Sequence, residues 1–421
     1  MDPIGVDVAG QKSRFGIYVH VPFCTSICSY CDFVKTSQFD RLDADIFFES
    51  ALLQLRFLLS TSFSSTFQGE VRNSCTLYFG GGTPGLFPAE RFVAIISEVS
   101  RYFDIEECTI ETNPALTTAK RFREFREVGF NRVTIGAQTL CSKTLRTFAR
   151  RHCPEQALES VSDARNAGFS QAQVDIIYGL NSGERTTRLE WEVAEFVKAG
   201  ATGVSGYALS LEERTKLFSS KLVSDDQAAH EYSVLRKACL DLGMRQNETS
   251  NFSFYEAKHN NIYWYGWPYI AVGTGAHGLL PSSTEAPFGM RYSVGDVPSE
   301  RAPGDDDLPY KKKANELFEI KWESPRTELD FFGEMVFTLL RTPNGIPWNW
   351  LKEIGCPNVE YVWKTDAKVV RAASDSRLEI AGLGLRLLEN EFLLGDSWAL
   401  HLLTIADQVM RDRSKIDRCF P

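Results

Sequence analysis

Three closely spaced cysteines offer the most specific chemistry in this sequence. Cys24, Cys28 and Cys31 form the pattern Cys-x3-Cys-x2-Cys directly after an apolar run. A structural zinc site normally has four ligands, but His20 belongs to the preceding apolar run and Cys75 lies far downstream. Three thiolates suit a [4Fe–4S] cluster that keeps one iron open, and the uneven spacing lets three sulfurs reach three corners of one cube. A redox disulfide is the alternative, although it needs only two cysteines.

The composition limits the classes of partner and compartment. The 421 residues contain ten cysteines, too few for a disulfide scaffold, so we expect a reducing, cytoplasmic location. The net charge of −9 argues against a nucleic acid as partner. No apolar run reaches the ~18 residues that span a bilayer, so no stable membrane insertion is expected. We assign no metal to the other seven cysteines: Cys75, Cys108, Cys141, Cys153, Cys239, Cys356 and Cys419.

The first half of the chain alternates short apolar runs with longer segments of helical period. The alternation predicts a parallel sheet, because right-handed β-helix-β crossovers join parallel strands. The predicted strands are Phe15–Val21, Cys75–Phe79, Cys108–Glu111, Arg132–Gly136, Gln173–Tyr178 and Gly203–Leu209. The predicted helices are Leu42–Leu59, Ala89–Phe103, Thr118–Val128, Pro154–Ala167, Arg185–Ala199, Asp226–Leu242, Glu328–Leu340 and Ser397–Arg411. We predict an α/β fold, a partial (β/α)6 TIM-like barrel followed by a mainly helical C-terminal region.

Polar residues and glycines follow several predicted strands. They are Gly80–Thr83 after the second strand, Glu111 and Asn113 at the third, Gln138 after the fourth and Asp175 within the fifth. The carboxyl ends of strands in a curled parallel sheet meet at one mouth. We therefore predict one composite site there, with each residue taken alone equally consistent with a structural role.

The cysteine segment resembles the signature of radical S-adenosylmethionine (SAM) proteins, in the branch that contains oxygen-independent coproporphyrinogen oxidase. The resemblance rests on Tyr18 to Cys24 and on Cys28-Ser29-Tyr30-Cys31. The resemblance implies that SAM chelates the open iron and that an electron from the cluster cleaves SAM. By the same resemblance, the SAM contacts are Tyr18, Tyr30, Gly81, Gly82, Thr83, Glu111, Gln138, Arg150 and Asp175. By charge, Arg150 would pair with the SAM carboxylate, and Glu111 or Asp175 would accept from ribose hydroxyls.

Position 33 separates two readings of this branch. Coproporphyrinogen oxidases carry a fourth cysteine two residues after the third, where this chain has Phe33. A second motif, His259-Asn260-Asn261-Ile262-Tyr263-Trp264, resembles the hallmark of the HemW family of haem chaperones. The resemblance implies a protein that binds haem and transfers it to acceptor proteins, with the cluster and SAM supporting handover or homodimer formation, and with an unidentified electron donor.

His259 is the candidate haem ligand, because a neutral imidazole is a common axial ligand of haem iron. A helix cap or a hydrogen-bonded core histidine is the alternative. Enzymatic activity also stays open: the alternative function is a radical SAM enzyme, such as a methyltransferase, with coproporphyrinogen oxidase third. We predict three regions, namely a barrel core at 1–215, a barrel-completing segment with the His259 motif at 216–300 and a C-terminal region at 301–421.

Overall fold

A seven-stranded parallel core lies within one large sheet. The structure is a computed structural model that describes residues 14–61, 74–181, 188–220, 222–295, 319–380 and 382–416. Within them, twelve strands follow the order β12-β11-β10-β9-β1-β2-β3-β4-β5-β6-β8-β7. The strands are β1 Phe15–Val21, β2 Ser74–Gly81, β3 Asp104–Thr112, β4 Arg132–Gln138, β5 Gln171–Tyr178, β6 Gly203–Ala208, β7 Arg245–Gln246, β8 Asn251–Ser253, β9 Tyr269–Val272, β10 His277–Leu280, β11 Met290–Val294 and β12 Ile320–Pro325.

Strand β9 joins β1 to β6 in the parallel core, and the outer strands pair antiparallel. The helices are α1 Arg41–Thr61, α2 Glu90–Ser100, α3 Ala119–Glu127, α4 Ser142–Thr147, α5 Pro154–Asn166, α6 Leu189–Lys198, α7 Asp225–Asp241, α8 Lys258–Trp264, α9 Glu328–Leu339, α10 Trp348–Glu353, α11 Pro357–Thr365, α12 Ala367–Ser374 and α13 Gly395–Ile416. A small antiparallel sheet contains β13 Ile346–Pro347, β14 Leu378–Glu379 and β15 Gly384–Leu387.

Local sequence explains why these elements form. All but one of the seven residues of β1 are buried, as expected for a parallel strand covered on both faces. Helix α3 begins at the side chain of Thr118, which accepts a hydrogen bond from the backbone N–H of Arg121, and it buries Phe122 and Phe125 on one face. It ends before Gly129, whose φ of +112° suits glycine.

The sheet curls into a partial barrel. Cys24 lies just beyond β1 and Leu209 just beyond β6, yet both line the same cavity. Strands β12 and β7, at the two edges of the sheet, do not pair with each other in the described residues, so the barrel stays open. Helix α8 packs against the amino-terminal ends of β1 and β2, where Ile262 lies against Gly16. It therefore fills the base of the barrel, opposite the cavity.

The C-terminal region packs on the barrel as a mainly helical layer, as predicted. Strand β12 adds to the large sheet, and Glu334 of α9 accepts hydrogen bonds from Arg291 of β11 and from Arg326, both at 2.7 Å. The rings of Phe332 and Trp350 stack at 5.7 Å within a core continuous with that of the barrel. No helix in the described part of the chain is long and apolar enough to cross a membrane.

The structure confirms the predicted fold class and the six predicted strands. It adds β9 to the parallel core, which the sequence did not predict as a strand. The predicted helix from Arg185 begins at Leu189 in the described residues. The three-region division stays a prediction, and its boundary at residue 301 lies outside the described residues, as does Cys419.

Candidate functional site

A cavity of about 490 Å³ opens at the carboxyl ends of the parallel strands. It brings together the three clustered cysteines and all the predicted SAM contacts except Tyr18. The residues that line it are Cys24, Ser26, Ile27, Cys28, Tyr30, Cys31, Asp32, Phe33, Lys35, Gly81, Gly82, Thr83, Glu111, Thr112, Asn113, Thr134, Gly136, Gln138, Arg150, Asp175, Ile177, Tyr207, Ala208, Leu209, Ser210 and Glu212.

Backbone hydrogen bonds fix the loop that carries the cysteines. The N–H of Cys24 donates to the carbonyl of Thr36 at 2.9 Å, and the N–H of Thr36 donates to the carbonyl of Pro22 at 2.7 Å, so the loop closes on itself. The hydroxyl of Thr83 donates to the Sγ of Cys24 at 3.7 Å. Burial raises the pKa of Cys24 to about 12 and also raises the pKa of Cys31.

The three thiols share one cavity, but they do not form a site for a single ion. Among the described residues, no group of three His, Cys, Asp or Glu side chains has the geometry to hold one metal ion. In a [4Fe–4S] cluster each thiolate binds a different iron, so the sulfurs stand further apart than around one ion. The donor set of three cysteines on one short loop fits such a cluster.

The glycine turn after β2 is required by the cysteine loop that packs on it. Gly81 has a φ of +107°, and a Cβ there would lie 2.7 Å from the ring of His20. A Cβ on Gly82 would lie 2.7 Å from the carbonyl oxygen of Phe23. Protein main chain, in addition to any ligand, therefore excludes a side chain at Gly82.

Arg150 crosses the cavity wall and contacts the cysteine loop. Its Nη1 donates to the Sγ of Cys28 at 3.3 Å, and its Nη2 donates to the Oδ1 of Asn113 at 2.5 Å and to the carbonyl of Gly136. The guanidinium is thus a fixed positive charge beside the thiols. This charge can attract a carboxylate in the cavity.

Two partly buried carboxyl groups, those of Glu111 and Asp175, line the same cavity as Arg150. Burial raises the pKa of Asp175 to about 7, and the charge of nearby Glu111 raises it further. Burial also raises the pKa of Glu111, which accepts hydrogen bonds from the hydroxyl of Tyr78 at 2.7 Å and from the N–H of Gly81 at 3.2 Å. The Oδ1 of Asp175 is buried and has no hydrogen-bond partner in the described structure.

Thr134 is a polar residue of the cavity that the sequence analysis missed. Its hydroxyl is also buried without a partner among the described residues. Thr134, Gly136 and Gln138 alternate along β4 and all line the cavity. That two-residue period was the signal that could have identified Thr134. The unpaired oxygens of Thr134 and Asp175 fit a polar ligand in the cavity, since buried polar groups are normally hydrogen-bonded.

Tyr18 lies outside the cavity lining. Its hydroxyl is 3.0 Å from the Nδ1 of His20, and the Nε2 of His20 is 2.8 Å from the carbonyl oxygen of Val34. This pair ties strand β1 to the far end of the cysteine loop. The role of Tyr18 as a SAM contact stays a prediction, whereas Tyr30 lines the cavity and packs edge-on against Phe148 at 4.9 Å.

His259 lies in the barrel interior and does not face solvent. The ring is 1% exposed, with Nδ1 2.7 Å from the hydroxyl oxygen of Thr76 and Nε2 2.8 Å from the hydroxyl oxygen of Tyr263. Burial lowers the pKa of His259 to about 3. Both ring nitrogens are hydrogen-bonded, so neither is available to an external metal in this conformation. This geometry is that of the core histidine considered above as the alternative.

Position 33 is at the edge of the cavity. The side chain of Phe33 lines the cavity and is 68% exposed. It presents an apolar ring where a fourth cysteine would present a thiol. The chain therefore keeps three cysteines at the cavity mouth, and the fourth position is hydrophobic.

Comparisons with known proteins agree with this geometry. Residues 18–185 match the family described as the Radical SAM superfamily. A protein of Lactococcus lactis subsp. lactis named heme chaperone HemW is 28% identical over 311 residues, which cover 71% of this chain and 79% of that protein. A Mycobacterium tuberculosis protein of the same name is 34% identical over 279 residues, which cover 63% of this chain and 70% of that protein.

The fold has a solved counterpart. Coproporphyrinogen III oxidase (HemN) from Escherichia coli, a radical SAM enzyme, superimposes with a TM-score of 0.70 over 94% of this chain and 90% of that chain, at 17% identity. At that identity the likeness establishes the fold alone. The sequence matches extend over most of the length of their relatives, and the chain therefore belongs to the HemW family and carries a radical SAM domain.

Proposed function

We propose that this protein is a haem chaperone, which binds haem and transfers it to acceptor proteins while carrying a [4Fe–4S] cluster and exchangeable SAM. The observation that carries the proposal is a single cavity that joins three cysteines, Arg150 and two partly buried carboxyl groups in a chain of the HemW family. The relatives' name supplies the haem function, and the cavity supplies the residues for the cluster and SAM.

The cysteine loop would hold the cluster through Cys24, Cys28 and Cys31. When bound, a [4Fe–4S] cluster with an open iron supplies one-electron chemistry to SAM. The loop's own contribution is position: its closed hydrogen bonds and the Gly82 contact hold the three sulfurs on one side of the cavity. Arg150 adds a positive charge beside Cys28.

The remaining lining residues would bind SAM. The Arg150 guanidinium can pair with the SAM carboxylate, and Glu111 and Asp175 can accept hydrogen bonds from its ribose hydroxyls. The main chain of Gly81, Gly82 and Thr83, together with Tyr30 and Gln138, completes the set of proposed contacts. Tyr18 acts on this site indirectly, through His20 and the loop.

Haem binding is proposed for the protein without assigning the iron to His259, because both ring nitrogens of that histidine are occupied. The exposed Phe33 gives the cavity mouth an apolar edge, which is compatible with a macrocycle. We also propose that an electron donor and haem-acceptor proteins are the chain's partners, and that it forms a homodimer.

A radical SAM enzyme is the second candidate, because the cavity has the residues that SAM chemistry needs. A methyltransferase would fit this reading better than coproporphyrinogen oxidase, since Phe33 stands in place of the fourth cysteine. The two candidates differ in turnover: a chaperone releases haem unchanged, whereas an enzyme consumes SAM repeatedly with its substrate.

The test uses anaerobically reconstituted full-length protein and four measurements: iron content, SAM affinity, haem titration by the Soret band and transfer of haem to an apo-protein acceptor. We expect Cys24→Ala to lose cluster absorbance and SAM binding while keeping the Soret band. Cys153→Ala is the matched control, because Cys153 is exposed and lies outside the cavity. Arg150→Ala should keep iron and weaken SAM about tenfold or more, as expected for loss of a charged hydrogen bond.

The outcomes distinguish the candidates. Transfer of haem to the acceptor without SAM consumption supports the chaperone. Repeated turnover of a porphyrinogen or another substrate with dithionite and SAM contradicts it and favours the enzyme. A wild-type protein that shows no Soret band on haem addition would remove haem from the proposal altogether.

A further inference from the structure

The hallmark segment of the sequence, His259–Trp264, coincides with helix α8 at the base of the barrel. Two buried contacts fix that helix. The side-chain oxygens of Glu107 on β3 accept hydrogen bonds from the N–H groups of Lys258 and His259 at 3.0 and 3.1 Å, which satisfies two donors of the helix N-terminus. Ile262 packs against Gly16, where a Cβ would lie 2.7 Å from the Ile262 side chain. These contacts fix the position of the helix in the barrel.

From this position, the side chain of His259 extends into the barrel interior. Its ring is held between two hydroxyls, that of Thr76 on β2 and that of Tyr263 one helical turn away, at 2.7 and 2.8 Å. The tyrosine ring packs edge-on against the imidazole at 5.2 Å. With both nitrogens bonded, the imidazole has a fixed orientation.

The ring of His259 also packs against Tyr78. The two rings stack with centroids 4.9 Å apart and an interplanar angle of 26°. Tyr78 in turn donates its hydroxyl to Glu111 at 2.7 Å, and Gly81 donates its N–H to the second oxygen of the same carboxylate. A continuous series of contacts thus leads from α8 to a carboxylate in the cavity wall.

We propose that His259 is a positioning residue for the SAM site: with Tyr263 it holds Tyr78 in place, and Tyr78 orients the Glu111 carboxylate toward the cavity. The inference rests on the proposed SAM site and gives the hallmark segment a role at that site in place of haem ligation. Glu111 accepts from one side-chain donor and one backbone donor, so removal of the Tyr78 hydroxyl leaves its carboxylate held by the longer bond from Gly81 N–H and less fixed in orientation.

Three variants test the inference by SAM affinity, measured by calorimetry on anaerobically reconstituted full-length protein. Tyr78→Phe keeps the ring stack and removes only the hydroxyl, and we expect SAM to bind about tenfold more weakly. Tyr263→Phe removes one partner of His259, with an expected weakening of about threefold. Tyr265→Phe is the matched control, because this buried tyrosine bonds to Asn344 in the C-terminal region and should leave the affinity unchanged.

A spectroscopic measurement separates positioning from general destabilisation. The chain has only six histidines, so their ring nitrogens can be followed by NMR after ¹⁵N labelling, and His259→Gln identifies the His259 signals. In the metal-free protein, Tyr263→Phe should shift the His259 signals, because it removes the hydroxyl that bonds to Nε2, and Tyr265→Phe should not. The haem titration of His259→Gln should give the wild-type Soret band.

Several results would overturn the inference. SAM affinities of Tyr78→Phe and Tyr263→Phe within twofold of wild type would show that Glu111 does not depend on this support. A Soret band lost in His259→Gln, with SAM affinity retained, would make the histidine a haem ligand instead. Wild-type protein that fails to bind SAM overturns the proposed SAM site and this inference with it, whereas a failure in the variants alone overturns only the inference.

Discussion

Asp175 combines burial, a neighbouring negative charge and an oxygen without a partner in the described structure. Its pKa is raised to about 7 in the folded protein, mainly by burial and then by Glu111, whereas an aspartate in an unfolded chain titrates near ~3.9. The folded protein therefore favours the protonated form. The stability linked to this group is present below about pH 4 and is lost as the pH rises through 7.

The prediction is that Asp175→Asn stabilises the metal-free protein at high pH. At pH 8 the free energy of unfolding should rise by on the order of 2–4 kcal/mol, since one pKa unit corresponds to about 1.4 kcal/mol. The gain should shrink at pH 5. Urea unfolding at the two pH values measures it, with Glu353→Gln as an exposed carboxyl control. Equal effects at both pH values would show that the carboxyl is not held protonated in the fold.

At the scale of elements, the turn after β2 and the cysteine loop form one unit. Gly82→Ala introduces a Cβ that would lie 2.7 Å from the Phe23 carbonyl oxygen and 2.8 Å from the Pro22 carbonyl carbon. Both atoms belong to the main chain that leads into Cys24, so they can move only if the loop moves.

We therefore predict that Gly82→Ala lowers stability by about 1–3 kcal/mol, as overpacking does, and reduces the iron bound on reconstitution. Gly333→Ala is the control: it lies within α9, and its Cβ would meet nothing within 4 Å. That change should stabilise the helix by roughly 0.5–1 kcal/mol. Wild-type iron content in Gly82→Ala would mean that the loop tolerates displacement.

The sequence predicted the elements well because local patterns define them. The alternation of apolar runs and helical segments predicted the six strands. Gly129 predicted the end of a helix, because its positive φ is a conformation that glycine adopts readily. The site residues at strand ends also followed, since parallel strands bring Glu111 and Asp175 to one mouth. Contacts between distant residues did not follow: Thr76 and His259 are 183 positions apart, and no local pattern indicates that they meet.

Tyr18 shows a second reason why the contacts of individual side chains are harder to predict than the elements. The motif predicts it as a SAM contact, which stays a prediction, and its hydroxyl bonds to His20, two residues along the same face of β1. Residues at i and i+2 of a strand share a face, so this pairing was available from the sequence, but which neighbour a hydroxyl chooses depends on the packed interior. A motif therefore predicts where a site lies more readily than it predicts the role of each residue in that site.

At the scale of the whole molecule, the barrel and the C-terminal region share one sheet and one core. Strand β12 extends the sheet, and Glu334 binds Arg291 of β11 as well as Arg326, whose side chain is 5% exposed. We predict one calorimetric unfolding transition for the metal-free protein. Glu334→Gln should lower its Tm by roughly 2 °C or more, because a buried arginine loses its charged partner. Two separate transitions, with only one shifted by the substitution, would show that the regions unfold independently.

The strand order has a consequence for biosynthesis. Strand β1, which begins at Phe15, is synthesised before the other strands. Its neighbour on one side, β9, begins only at Tyr269. Helix α8, which fills the base of the barrel, is synthesised just before β9. At ~5–20 residues per second, translation takes on the order of 10–50 s to cover that distance. Throughout this interval the barrel is incomplete, and Cys24, Cys28 and Cys31 are not yet enclosed by the completed fold. Iron loading is therefore expected after translation, and the nascent thiols must be kept reduced until then.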